Sequence, residues 1–94
     1  MNAPKAPQKL GPAGRTLWSS ISSKYELRAD ESRVLEDACR EADLVDKMTA
    51  ELASGDLMVT GSMGQPVVNP MVAEVRQHRA TLAALLRGLK LPDD

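Results

Sequence analysis

The chain has no phenylalanine and only one tryptophan, one tyrosine, one cysteine and one histidine in 94 residues. Without Phe, a core must be assembled from Leu, Val, Ile, Met and Ala, and in one domain of this length it supplies only about 3–5 kcal/mol beyond the entropy of ordering the chain. Self-association is the natural completion. One cysteine excludes an intrachain disulfide, and Cys39 with His78 makes two scattered soft ligands where structural zinc takes four, so neither a metal nor a cofactor is expected. No apolar run approaches the roughly 20 residues that cross a bilayer. The start Met1-Asn2-Ala3-Pro4-Lys5 lacks the apolar run of a signal peptide, so a cytoplasmic protein without a membrane role is expected. There is no Walker-type phosphate loop for ATP chemistry, and with Trp18 and Tyr25 alone, stacking on nucleic-acid bases is nearly excluded.

Charge is balanced in sum and segregated in sequence. Twelve Lys and Arg against 13 Asp and Glu give a formal net charge of -1. Asp30, Glu31, Glu36, Asp37, Glu41, Asp43, Asp46 and Glu51 crowd one segment, relieved only by Arg33, Arg40 and Lys47. Outside it the balance is basic, with Lys5, Lys9, Arg15, Lys24 and Arg28 before and Arg76, Arg79, Arg87 and Lys90 after. Such asymmetry permits an anion-binding face that the net charge conceals.

Residues 1–12 are rich in Pro, Ala and Lys with no acid, which predicts a flexible basic arm ahead of a single domain over 13–92. Leu17, Trp18, Ile21 and Tyr25 recur at helical spacing, predicting a short amphipathic helix from about Ala13 to Lys24. Trp18 is either the core anchor or a contact in a subunit interface, where Trp is enriched. A second, long helix is predicted from Asp30 as N-cap to Ser54, with Gly55 as the stop. Val34, Leu35, Ala38, Ala42, Val45, Thr49 and Leu52 form its apolar stripe, widened by Leu44 and Met48. Cys39 lies beside the stripe as a small buried hydrophobe. Asp37 with Glu41 and Asp43 with Asp46 have the spacing of metal-binding carboxylates, but Arg33 and Arg40 lie within reach of Glu36 and Asp37, which favours a solvated ion-paired face.

The segment from Leu57 to Val68 reads as a β-hairpin, with Gly61 and Gly64 supplying the conformational freedom of its reversal. Asn69-Pro70 then opens a third helix running to about Leu89, because Asn caps well and Pro is tolerated in the first turn. Met71, Val75, Leu82, Leu86 and Leu89 share one face of this helix, and Arg76, Arg79, Arg87 and Lys90 fall in an arc of about 80° along its border. That stripe is either a solvated border or an anion-binding surface. Ala80, Ala84 and Gly88 lie beyond it, small enough for another helix to approach. A two-stranded ribbon is marginal alone, so Val59 and Val67 are expected against the helices or a neighbouring subunit.

The order of these features, Gly14-Arg15-Thr16-Leu17-Trp18, Tyr25-Glu26-Leu27, a long helix from Asp30, the polar hairpin Gly61-Ser62-Met63-Gly64-Gln65 and the closing Asn69-Pro70 helix, resembles the compact small terminase subunits of tailed bacteriophages over roughly Gly11 to Pro92. The resemblance implies a mainly α fold (short helix, long helix, β-hairpin, closing helix) and a homo-oligomeric ring of about eight to ten chains in the host bacterial cytoplasm. It implies a non-enzymatic component that recognises double-stranded viral DNA at the start of packaging and regulates a large terminase subunit holding the ATPase and nuclease. Many small terminases also carry a separate helix-turn-helix domain or an extended C-terminal segment, and neither is evident here. DNA contact is therefore expected at Lys5, Lys9, Arg15, Arg76, Arg79, Arg87 and Lys90, the bases with few carboxylate neighbours, and subunit contact at Trp18, Val59, Val67, Ala80 and Ala84. A helical adaptor that binds only protein, or a small DNA-binding regulator, accounts for the same periodicity.

Overall fold

A computed structural model describes residues 5–92, in the order α1 (Pro12–Ser22), α2 (Ala29–Ser54), β1 (Met58–Thr60), β2 (Pro66–Val68) and α3 (Met71–Gly88). The fold is mainly helical with one small antiparallel ribbon. Residues 1–4 of the expected arm and Asp93-Asp94 lie outside the described residues.

α2 is the axis of the molecule, about 39 Å long at the usual helical rise. Of its apolar stripe, Leu35 and Ala38 are fully buried and Val45 nearly so, with Cys39 beside them. Its N-terminus departs from the expected Asp30 cap. The N-cap position is Arg28, whose backbone N–H donates to Glu31 Oε1 at 2.9 Å, while Asp30 pairs with the Arg28 guanidinium at 3.1 Å. A carboxylate at the third helical position reaches back to the cap position, and it moves the cap two residues earlier than the expected Asp30.

α1 begins at Pro12, where a missing N–H costs nothing, but no residue of α1 caps it by side chain. The cap comes from α2. Asp43 accepts the Gly11 N–H at 2.7 Å and the Gly14 N–H at 2.8 Å, so one carboxylate holds two otherwise unpaired donors at the positive end of the helix. This approach requires glycine: a Cβ on Gly14 would stand 2.4 Å from Asp43 Oδ2 and 2.8 Å from the Cys39 carbonyl oxygen. Trp18, one turn further on, then enters a core cluster with Leu10, Leu35, Cys39 and Leu89, flanked by Leu17, Ile21, Leu27, Val34, Leu86 and Leu91. Leu10 is 5% exposed, so the end of the 1–12 segment is packed: a single Leu inside a Pro- and Lys-rich stretch finds the pocket that α1 and α2 leave open.

α3 opens one residue later than expected, with Pro70 at the cap position, and Asn69 just before it accepts the Met71 N–H on its side-chain oxygen at 3.0 Å. It runs back along α2 until Leu89 joins the core beside Trp18, and Tyr25 then ties the departing chain by donating from its hydroxyl to the Pro92 carbonyl at 2.7 Å. Three helices therefore share one end of a molecule 58 Å long and 22 Å across. The other end consists of the last turns of α2, the first turns of α3 and the ribbon.

In the ribbon, Met58 pairs with Val68, Val59 with Val67 and Thr60 with Pro66. Gly64 has φ 81 and donates to the Gly61 carbonyl at 3.0 Å, closing a three-residue loop with a left-handed glycine at its end. Gly61, expected to share that role, has no positive φ; it stands beside the Gln65 side chain, whose terminal amide a Cβ would meet at 2.7 Å.

Two outcomes follow from this packing. Asp43→Ala should lower unfolding free energy by about 2 kcal/mol, the combined worth of an N-cap and charge-assisted hydrogen bonds, read from the urea midpoint. Trp18→Ala should cost about 3–5 kcal/mol by the same measurement, because the indole fills most of the aromatic volume of the core.

Candidate interaction surfaces

The seven bases expected to meet DNA do not converge. Arg76 and Arg79 lie on the first half of α3 near the ribbon, whereas Arg87 ends that helix, about 16 Å along the axis from Arg76. Lys90 follows in the left-handed conformation with φ 51. Lys5 and Lys9 precede α1 and Arg15 lies in its first turn, with Lys9 also left-handed at φ 66. All seven are exposed. The Arg15 guanidinium is turned onto the Leu10 carbonyl and Arg79 reaches Thr49 Oγ1 at 3.4 Å, while the side chains of Lys5, Lys9, Arg76, Arg87 and Lys90 have no hydrogen-bond or ion-pair partner among the described residues. The border of α3 thus keeps unneutralised positive charge along its length.

Arg76 and Arg79 also flank the mouth of a cleft of about 340 Å³ where α2, α3 and the root of the ribbon meet. Its floor is Leu52, Leu57, Val72 and Val75, with the Thr49 hydroxyl beside the Arg79 guanidinium. Apolar surface rimmed by two cations suits an amphipathic or anionic contact.

The carboxylates of α2 are engaged locally. Arg40 meets Glu36 at 2.9 Å, Arg33 meets Asp37 at 3.4 Å and Glu36 at 3.9 Å, and these pairs are largely solvated. The hydrogen bond from Arg28 holds the Asp30 carboxyl below its usual range. Glu41 leaves the helix's own set and receives His78 Nδ1 at 3.0 and 3.1 Å, joining α2 to α3; Glu74 stands 3.8 Å from the other ring nitrogen. Among the described residues no three His, Cys, Asp or Glu side chains stand close enough to hold a metal ion, and no helix is long and apolar enough to cross a membrane.

Of the expected subunit contacts, Trp18 must be withdrawn, because it is 6% exposed and its indole belongs to the chain's own core. Val59 and Val67 are half-buried on one face of the ribbon, and Ala80 and Ala84 are exposed on α3. The sequence reading missed a larger feature. Leu57, Met58, Met63 and Val68 are 61, 51, 89 and 58% exposed, and Leu44 is the one other large hydrophobic side chain exposed among the described residues. The available signal was the absence of any charged residue between Asp56 and Glu74 in a chain otherwise dense in charge. Isolated exposed apolar side chains are ordinary, whereas four within one uncharged segment make the ribbon a candidate contact surface.

Comparison with protein-family models, with curated proteins and with solved structures finds no match to this chain.

Cys39 provides a chemical probe of this arrangement. Burial, reinforced by the Asp43 charge, pushes its thiol from 9.0 up to about 11. Because the folded value lies above the unfolded one, its contribution to stability is complete below about pH 9 and is lost as pH rises toward 11. Urea midpoints should fall more steeply over that interval for the parent than for Cys39→Ala, and thiol labelling of the native parent at pH 8 should proceed only at the rate of unfolding.

Proposed function

We propose that this chain is the small subunit of a bacteriophage terminase, a non-catalytic protein that assembles as a homo-oligomeric ring of about eight to ten copies, binds double-stranded viral DNA and regulates a separate large subunit in the host bacterial cytoplasm. The observation that carries this reading is the agreement in order between the resembling motifs and the elements they fall on. Gly14 begins the turn that leads to Trp18, the long α2 follows, and after the ribbon Asn69-Pro70 leads into α3, with Asn69 accepting the Met71 N–H. Gly14 and Trp18 are fixed by close packing, which gives the Gly-x-x-Leu-Trp spacing a physical reason.

DNA contact in this proposal is made through phosphates, by Lys5, Lys9, Arg15, Arg76, Arg79, Arg87 and Lys90. Their dispersion over the surface suits a backbone contact, which positions a protein without reading sequence. In a ring each weak site is repeated, and several subunits on one duplex convert modest affinity into avidity. The exposed uncharged ribbon favours a second reading, a helical adaptor that binds only protein.

Native mass and DNA retention across a salt series, measured on one preparation, separate the two. The terminase reading expects an assembly well above a dimer, binding whose affinity falls with salt, and a flatter salt dependence for Arg76→Ala with Arg79→Ala, by roughly one counterion for each lost phosphate contact. An assembled double variant with unchanged affinity and salt slope would remove these two arginines from the DNA surface, and a monomer that ignores DNA would leave the adaptor.

A further inference from the structure

The ribbon has two edges, and they are not equivalent. Gly61 donates to the Gln65 carbonyl and Asn69 to the Leu57 carbonyl, each at 2.6 Å, so Val59 and Val67, midway between, are the other hydrogen-bonded pair of the ladder. The alternation turns the N–H and C=O groups of Met58 and Thr60 outward from β1, and those of Pro66 and Val68 outward from β2. Pro66 has no N–H, which blunts the β2 edge. The β1 edge keeps both donors and both acceptors, none with a partner among the described residues. A cleft of about 450 Å³ lies against the ribbon, lined mostly from the β1 side by Asp56, Met58, Val59 and Thr60, with Gly64 and Pro66. None of the usual protections of an edge strand, a lysine, a bulge or an inward charge, is found on β1.

A three-residue, two-stranded ribbon that touches the helices so little is short of the three or more strands that confer independent stability. The identity of the missing strand follows from charge and symmetry. An antiparallel pairing of β1 with another β1 about Val59 sets Met58 against Thr60 and Thr60 against Met58, satisfying all four outward donors and acceptors at once. The same register sets Asp56, the only charge at the edge, against Ser62 and keeps the two Asp56 carboxylates at opposite ends of the contact.

We propose that β1 pairs with β1 of a second copy of this chain, forming a two-fold, four-stranded antiparallel sheet with Val59 on the axis. This deepens the self-association in the proposed function and is independent of DNA. An isologous contact closes on itself, so it yields a dimer alone and, within an assembly that has a further interface, joins two halves.

Two variants that each remove one outward N–H from the same ribbon test the contact. Thr60→Pro should reduce the native mass to half or less, while Val68→Pro should keep the parent mass, with circular dichroism confirming that both retain the helices. In a Cys39→Ala background, Val59→Cys should form an intermolecular disulfide at least about ten-fold faster than Met63→Cys, because residues on the axis of a non-hydrogen-bonded pair stand at disulfide distance whereas the loop tips are far apart. Amide exchange should be slow at Met58 and Thr60 and fast at Val68. A monomeric parent overturns both this contact and the self-association it rests on. An assembled parent in which Val59→Cys crosslinks no faster than Met63→Cys, or in which the two proline variants behave alike, overturns the β1 contact while leaving assembly through another surface intact.

Discussion

The structure depends on one carboxylate. Asp43 projects from the middle of α2 onto the start of α1 and accepts two backbone N–H groups that the helix cannot satisfy for itself. Its reach fixes the separation of the two helices, and that separation is possible only because Gly11 and Gly14 present bare backbone. With α1 held in this way, Trp18 is set over Leu35 and Cys39, and the end of α3 has an apolar surface on which Leu86 and Leu89 can close. A Phe-free chain thereby obtains a compact core from one indole and a few aliphatic side chains.

The same concentration of packing at one end leaves the other end unfinished. Val75 is the only buried residue of α3 before its last turn, and beyond it the ribbon offers exposed Met and Val side chains and an unpaired edge. Charge is divided along the same length: acids on α2 consume its own arginines, while the border of α3 keeps bases that nothing neutralises among the described residues. The proposed assembly and DNA contact rest on this division into a packed end, an apolar ribbon and a basic border.

The helices were legible in the sequence because each carries its own period and stop signal. The α2 stripe from Leu35 to Val45 and the Asn69-Pro70 start of α3 rest on local rules, and they fall where expected to within a residue or two. The cap of α2 was read two residues late, since Asp30 is a good capping residue by type but Glu31 reaches back to Arg28 and wins the position. The candidate surfaces were legible in part. The bases were visible as residues with few acidic neighbours, but their separation along the molecule was not, and Trp18, expected first as a core anchor with an interface contact as the alternative, lies in the core.

The sequence by itself determined element order, the hairpin and its glycine turn, the apolar faces of α2 and α3, and the self-neutralising acids of α2, because all of these depend on neighbours within a few residues. Only the tertiary structure decided that Asp43 caps α1, that His78 meets Glu41, that Leu10 enters the core, and that the β1 edge stands free. Those contacts join residues tens of positions apart, and no local propensity or spacing encodes which carboxylate meets which helix end; it is set by how three amphipathic helices of unequal length bury their stripes against one another.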